Sequence, residues 1–528
     1  MDRPTTKRLC CIRAYLRFAI SLWIVVVALL VGSGPAWTQG PPDKTVLGVN
    51  CAQLDALGIS QQMNFRADTI MIGCGLAPGG APGPGSSSSR ELLVGGTNVD
   101  VVTGPEVWPR VTQSESMIAT GDGVTIVVNY NDSANAPTNY SGISYSRDGG
   151  NTWTRILPSP LSTGHGTNFG DPIIVWNAAL AQYFAGDLVS GGDCGPQGIG
   201  LWSSPDGVNW NVASCAHVGR SDDRESMWAD NNSGSPFFGR MYISWNDFAA
   251  GALLFVTYSD DGVTWSTPQA LSDGFLRDVQ LTGSPDDGSV YLAAMDEGGG
   301  QFNTRQNWMF RSFDGGTTWF TAVMGERFPA PGDSLCSAGS YFVRINPIWR
   351  HMGWGQPAVG PNGVIHYVFA SATSTDTSTD HGDIYYQRSV DSGATWSDPI
   401  LLNTDATGRD QWMPSLSVTP SGLVQAAWYD RRNSVNGSVY EYWGRRSLDN
   451  GDSWLDDARI SDRIIVQPEQ PDPNVQACYA GDYNYHVAFD DGVNPPVHYM
   501  TWTDGRNYVL DPNDNVHFQQ DVFFASIP

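Results

Sequence analysis

Ser146-Arg147-Asp148-Gly149-Gly150-Asn151-Thr152-Trp153 is the stretch on which the fold turns, because it returns five more times. The copies are Ser204-Pro205-Asp206-Gly207-Val208-Asn209-Trp210, Ser259-Asp260-Asp261-Gly262-Val263-Thr264-Trp265, Ser312-Phe313-Asp314-Gly315-Gly316-Thr317-Thr318-Trp319, Ser389-Val390-Asp391-Ser392-Gly393-Ala394-Thr395-Trp396 and Ser447-Leu448-Asp449-Asn450-Gly451-Asp452-Ser453-Trp454. From Asp to Asp the spacings are 58, 55, 53, 77 and 58 residues. The residue types have a mechanical reading. An Asp carboxylate accepts backbone N–H groups inside a tight turn. A Gly supplies the positive φ that other residues resist. The Trp closes the turn by packing on the next strand. Each copy therefore reads as a β-hairpin turn, and a repeat of this period announces a repeat architecture. The composition agrees: Gly (59) and Trp (20) are abundant, charged residues are only 16%, and no long helical heptad pattern is present.

A second repeat lies upstream of these turns, where apolar strands end alike: Val128-Asn129-Tyr130-Asn131-Asp132, Ser244-Trp245-Asn246-Asp247 and Ala427-Trp428-Tyr429-Asp430. Tyr499-Met500-Thr501-Trp502-Thr503-Asp504 matches them without a following turn motif. Residues 481–528 thus look like a further unit lacking one strand, and residues 91–101 could supply it and close a ring, which removes exposed sheet edges. The eight-residue motif is the Asp box, and on it the chain resembles the sialidase-like (BNR-repeat) propellers over residues 91–528. The expected fold is all-β, a seven-bladed β-propeller with Asp-box hairpin turns; six blades is the alternative.

The N-terminus reads as a secretory signal over residues 1–38: Arg3, Lys7, Arg8, Arg13 and Arg17 precede an apolar stretch at 18–32, and small residues follow at Gly34 and Ala36. An uncleaved anchor is the alternative, although the stretch is short for a membrane span. The mature chain is expected outside the cytoplasm: secreted, periplasmic or at the cell surface. Residues 39–74 form a small segment to which no function attaches at this stage, and residues 75–90 are a Gly/Pro/Ser linker. Six cysteines remain after export, an even number that suits disulfides. They allow 15 pairings. Proximity favours Cys51 with Cys74 and Cys194 with Cys215, leaving Cys336 with Cys478. No Cys-x-x-Cys or His-x-x-x-His spacing marks a zinc site.

The net charge of −25 argues against nucleic acid as a partner. Lys7 and Lys44 are the only lysines, so beyond them the positive charges are arginines, the residue suited to bidentate carboxylate recognition, apart from any protonated histidine. In a propeller, the starts of inner strands and the ends of second strands share one face, opposite the Asp boxes. That face is expected to gather Arg110, Asp171, Arg224 with Glu225, Arg277 with Asp278, Arg350 with His351, Arg409 with Asp410, and Asp482 from inner-strand starts. Asp132, Asp247, Tyr429 to Arg432, and Asp504 with Arg506 come from second-strand ends.

The resemblance implies an exported exo-glycosidase that removes terminal sialic acid or a related acidic sugar. It implies three arginines clamping the sugar carboxylate, a Tyr–Glu nucleophile pair and an Asp acid/base, types that fit an oxocarbenium-like transition state. The residues assigned are Arg110, Arg409 and Arg431 for the clamp, with Glu225, Tyr429 and Asp430 beside them; Tyr483 is a second tyrosine candidate. The sialidase Arg-Ile-Pro motif is replaced by Trp108-Pro109-Arg110-Val111-Thr112. A non-catalytic propeller binding a glycan or a protein is the alternative function. No organic cofactor is expected. A structural calcium ion near Asp511-Pro512-Asn513-Asp514-Asn515 is conceivable, but the spacing is not that of an EF-hand loop.

Overall fold

The computed structural model describes residues 41, 44–79, 97–345, 347–372, 380–434 and 437–528. The expected signal peptide, residues 80–90 of the linker and residues 91–96 lie outside the described residues. The described chain is almost entirely strand and turn; its one α-helix is Phe65–Gly73.

Seven antiparallel sheets follow one another along the chain, and in the first six the four main strands pair in sequence order. The first is Gln113–Thr120, Ile126–Asp132, Ser141–Ser146 and Thr154–Arg155. The second is Ile173–Asn177, Gln182–Gly191, Gly198–Ser204 and Asn211–His217, with Gly166–Asn168 added on its long strand. The third runs from Asp222–Ala229 through Met241–Asp247 and Leu253–Ser259 to Gln269–Ala270. The fourth runs from Arg277–Gly283 through Val290–Asp296 and Arg305–Ser312 to Phe320–Phe328. The fifth begins at Gln356–Val359 and the sixth at Gln411–Val418. The seventh joins His486–Phe489, Val497–Asp504 and Asp521–Ile527 to Val99–Asp100, so its last strand comes from the other end of the chain. The first strand of each sheet lies beside the first strand of the next, and the seventh returns to the first, so these strands form a closed ring.

The middle strands are buried on both faces because each sheet is sandwiched between two others. Ile126–Asp132 is buried at every position, its apolar Ile126, Val127 and Val128 and its polar Asn129, Asn131 and Asp132 alike. The six repeated motifs lie between the third and fourth strands of the first six sheets. In the first, the Ser146 hydroxyl donates to Asp148 Oδ1 (2.8 Å), which accepts the Thr152 N–H (2.9 Å), while the Trp153 indole N–H donates to the Gly150 carbonyl (3.1 Å). The turn also bonds sheets together. Trp153 is only 7% exposed and meets Phe524 of the seventh sheet edge-on, and a Cβ on Gly150 would lie 2.1 Å from that ring.

The 77-residue spacing contains a small three-stranded sheet, Ser334–Leu335, Val343–Ile345 and Trp349–Arg350, inserted between the fourth and fifth sheets. Cys336–Cys478 ties it to the segment before the seventh sheet; Cys51–Cys74 and Cys194–Cys215 are the other two disulfides among the described residues. Among the described residues no helix is long and apolar enough to cross a membrane.

Candidate functional site

Every sheet of the ring has a residue at positive φ within five residues of the start of its first strand. They are Glu115 (51°), Asp171 (59°), Arg224 (56°), Asp278 (57°), Gly353 (96°), Met413 (51°) and Gly481 (92°). At Glu115, Arg224, Asp278 and Met413 the strand slips register against its neighbour, the mark of a β-bulge. A bulge re-aims a side chain. Holding a non-glycine residue in this region costs about 1–3 kcal/mol, and such strain gathers at functional sites.

Four of the five non-glycine residues are ionisable, and their contacts run from sheet to sheet around one end of the ring. Glu115 accepts the Asn131 side-chain amide (2.6 Å) and the Asp482 backbone N–H (2.8 Å). Asp171 accepts the Arg224 backbone N–H (3.2 Å) through Oδ2, and its Oδ1 has no hydrogen-bond partner among the described residues. The Arg224 guanidinium donates to Asp278 (2.8 Å) and lies 3.8 Å over the ring of Tyr483, whose hydroxyl has no hydrogen-bond partner among the described residues. Arg277 donates to Asp223 (2.7 Å), and Arg350 donates through Nε to both oxygens of Asp482 (2.9 and 3.1 Å). All of the charged groups named are at most 1% exposed.

Burial sets the protonation of the acids. It pushes Glu115 and Asp171 well above the usual carboxylate range; Asp482 adds to the rise at Glu115, and Glu115 and Glu225 add to it at Asp171. Three guanidinium groups therefore sit among a larger number of carboxyl groups, and each is matched to an internal partner.

Residues 44–79 cover this end. A short hairpin pairs Thr45–Val46 with Val49–Asn50, and the helix Phe65–Gly73 is capped by the Asn64 side chain, which accepts the Ala67 N–H (2.8 Å). Leu54, Ile59 and Ile70 pack around Cys51–Cys74. The Met63 N–H donates to both oxygens of Asp223 (2.9 and 3.0 Å), the Asn64 amide donates to Asp223, and Gln62 donates to Ser221 (2.6 Å). Arg66 pairs with Gln197. Asp68 accepts from Arg350 (3.4 Å) and is pushed up to about 6 by burial. Phe65 wedges against the rings of Tyr140 and Tyr479, 4.7 and 5.1 Å between centroids.

The other halves of the first strands, with Met117, Ile174, Met227, Leu281, Leu416 and Val487, line a cavity of about 500 Å³. Thr120, Asp230 and Asp490 also line it, placing it toward the end where those strands finish.

The six residues assigned from the sequence are placed differently. Arg110 is exposed in a turn where its N–H donates to the Val107 carbonyl, and Arg409 is half-buried ahead of the sixth sheet. Arg431 is buried, donates to Asp410 (3.2 Å) and Gln467 (3.0 Å), and lies over Trp412. An exposed Arg110 and an Arg431 held by Asp410 do not make a carboxylate clamp. Tyr429 is fully buried, with its oxygen accepting N–H groups from Thr503 (2.7 Å) and Asn484 (2.9 Å); burial raises its phenol, the reverse of what a nucleophilic phenolate needs. Asp430 is held by Arg432 (2.7 Å) and the Trp428 indole (3.0 Å). Glu225 alone adjoins the cluster: it follows Arg224, is fully buried, and neither carboxyl oxygen has a hydrogen-bond partner among the described residues.

The cluster that the structure brings together has a readable signal. Glu115, Asp171, Arg224 and Asp278 recur at the period of the repeat, whereas Arg110 and Arg431 do not share a register position with one another. As for cations, the turn at Asp511 accepts its own Asn513 and Asn515 N–H groups (2.8 and 2.9 Å). His217, Asp222 and Asp247 bring ligand atoms within 4.8 Å of one another; the grouping of His165 and Asp193 includes the disulfide-bonded Cys194 and Cys215.

No protein-family model matches the sequence, and no curated protein does. Solved structures do. The α-L-arabinanase of Penicillium chrysogenum, complexed with arabinobiose, aligns with 83% of this chain and 98% of its own at 12% identity, TM-score 0.41. An ulvan lyase of polysaccharide lyase family PL25 aligns with 83% of this chain and 95% of its own at 12% identity, TM-score 0.46. The Hadza microbial sialidase Hz136 aligns with 60% of this chain and 63% of its own at 17% identity, TM-score 0.39.

Proposed function

We propose that the chain is an exported seven-bladed Asp-box propeller that acts on a glycan at the end of the ring where Glu115, Asp171, Arg224 and Asp278 converge. The observation that carries this reading is the strain itself: at five of seven equivalent positions a non-glycine residue is held at positive φ, and four of those five are ionisable. A purely structural ring would be served by glycine at all seven.

The chemistry that suits the cluster is glycoside hydrolysis. Burial holds both Glu115 and Asp171 well above the usual carboxylate range, and Glu115 adds to the rise at Asp171, which favours their protonated forms. A retained proton serves a departing sugar oxygen, and the remaining carboxylate serves an oxocarbenium-like centre. Asp171, with one unpartnered oxygen, is the acid in this reading. Because Arg224, Arg277 and Arg350 are each matched by an internal carboxylate, a neutral terminal sugar suits the site better than sialic acid. A propeller that binds glycan or protein without hydrolysing it is the second reading, favoured by the cover that residues 44–79 place over the cluster.

A panel of aryl glycosides of neutral sugars and a fluorogenic sialoside, offered at saturating concentration beside a glycan array, tests this. Turnover of a neutral glycoside that falls at least ~100-fold in Asp171→Asn, with the thermal transition kept, is the expected result. Array binding with no turnover on any substrate establishes the second reading. Neither binding nor turnover removes both.

A further inference from the structure

The segment over the cluster is not part of the ring. Its two strands pair only with each other, and its backbone-to-backbone bonds to the rest of the chain are confined to its end, where Gly79 bridges Gln476 and Pro78 accepts the Ala477 N–H. It carries its own disulfide and its own small apolar core. Its contacts with Asp223 and Arg350 are polar, while Phe65 is the side chain that it lodges in the main apolar core.

What those contacts satisfy is specific. Asp223 accepts the Met63 N–H on both oxygens and the Asn64 amide; from the ring it receives Arg277. Arg350, held bidentately by Asp482, also donates to Asp68. Two adjacent donors facing one carboxylate reproduce what two neighbouring hydroxyl groups of a sugar offer to an aspartate.

We propose that residues 62–68 are a resident occupant of the ligand site, holding the protein latent, and that the ligand displacing them presents a vicinal diol to Asp223. The inference rests on the glycan reading above and adds its regulation and the subsite. A site filled by its own chain binds with an affinity reduced by the fraction of time it is open, so an occupant docked 90–99% of the time weakens binding about 10- to 100-fold.

Asn64→Asp in the full chain tests it. Asp caps a helix as well as Asn does, so Phe65–Gly73 survives, but a carboxylate now faces Asp223. Hydrogen exchange of amides 63–70 is expected to quicken at least tenfold, and binding to the neutral-oligosaccharide array, or kcat/KM on the aryl glycosides, to rise about 10- to 100-fold. Should Asn64→Asp fail to fold, Gln62→Ala, which removes the bond to Ser221, carries the same measurement. Faster exchange with glycan binding present but unchanged from wild type overturns the occupant and leaves the glycan reading standing. Unchanged exchange also overturns it. Faster exchange with no glycan bound by either protein removes the glycan reading and the diol assignment together.

Discussion

The two ends of the ring treat the same side chain in opposite ways. At the end with the repeated turns, Asp391 and Asp449 are solvent-exposed, and their carboxyls are held down to about 2 by N–H and hydroxyl donors of Thr395 and Ser453, four residues along. At the other end, Glu115 and Asp171 are buried and held far up. The turn bonds span two to four residues; the bond from Glu115 to Asp482 spans 367 and that from Arg350 to Asp482 spans 132. An aspartate in a turn is tuned by its own neighbours and serves one hairpin. An acid in the cluster is tuned by the whole ring, and its state is a property of the closed fold.

The largest effect expected from this difference lies at the buried end. Arg350→Ala leaves Asp482 buried without its guanidinium, and breaking such a pair costs about 3–5 kcal/mol. Urea denaturation should show that loss; a change under about 1 kcal/mol would mean the cluster is wet and not set by burial.

At the turn end, Trp153→Ala removes a buried indole from its contact with Phe524, at a cost of about 3 kcal/mol. The same measurement checks it, and an unchanged midpoint would deny the turns their role in bonding adjacent sheets.

The smallest effect is one of pH. Asp68 titrates at about 6 in the folded protein against an ordinary value of 3.8. The folded state therefore binds the proton more tightly, so this group's contribution is full below about pH 4 and is lost as pH rises towards 6. Asp68→Asn should remove that part of the decline between pH 4 and 6, leaving the acid limb set by the turn aspartates unchanged. Parallel wild-type and variant stability curves across this window would show that Asp68 is solvated.

The turns were fully legible in the sequence because every interaction that makes them lies within eight residues. Ser146, Asp148, Gly150 and Trp153 each fill a role that their residue type alone suggests. The closure by Val99–Asp100 was legible too, since an incomplete last unit needs a strand from elsewhere. The candidate site was legible only in part. Arg224, Arg277, Arg350, Asp171 and Asp482 could be placed on one end by counting strands. Which arginines meet there, and that each meets a carboxylate, could not. Arg431 carries the same side chain as Arg350, yet it is taken up by Asp410 and Trp412.

By itself, then, the sequence determined the repeat, the hairpins, the order of the sheets and the all-β class, since these rest on local bonding and on a period written along the chain. The tertiary structure alone decided the protonation of Glu115 and Asp171, the pairing of the three arginines, and the seat of residues 44–79 over Asp223. Those depend on burial and on partners brought from between 53 and 367 residues away, and a linear pattern holds no record of which distant groups will share one low-dielectric site.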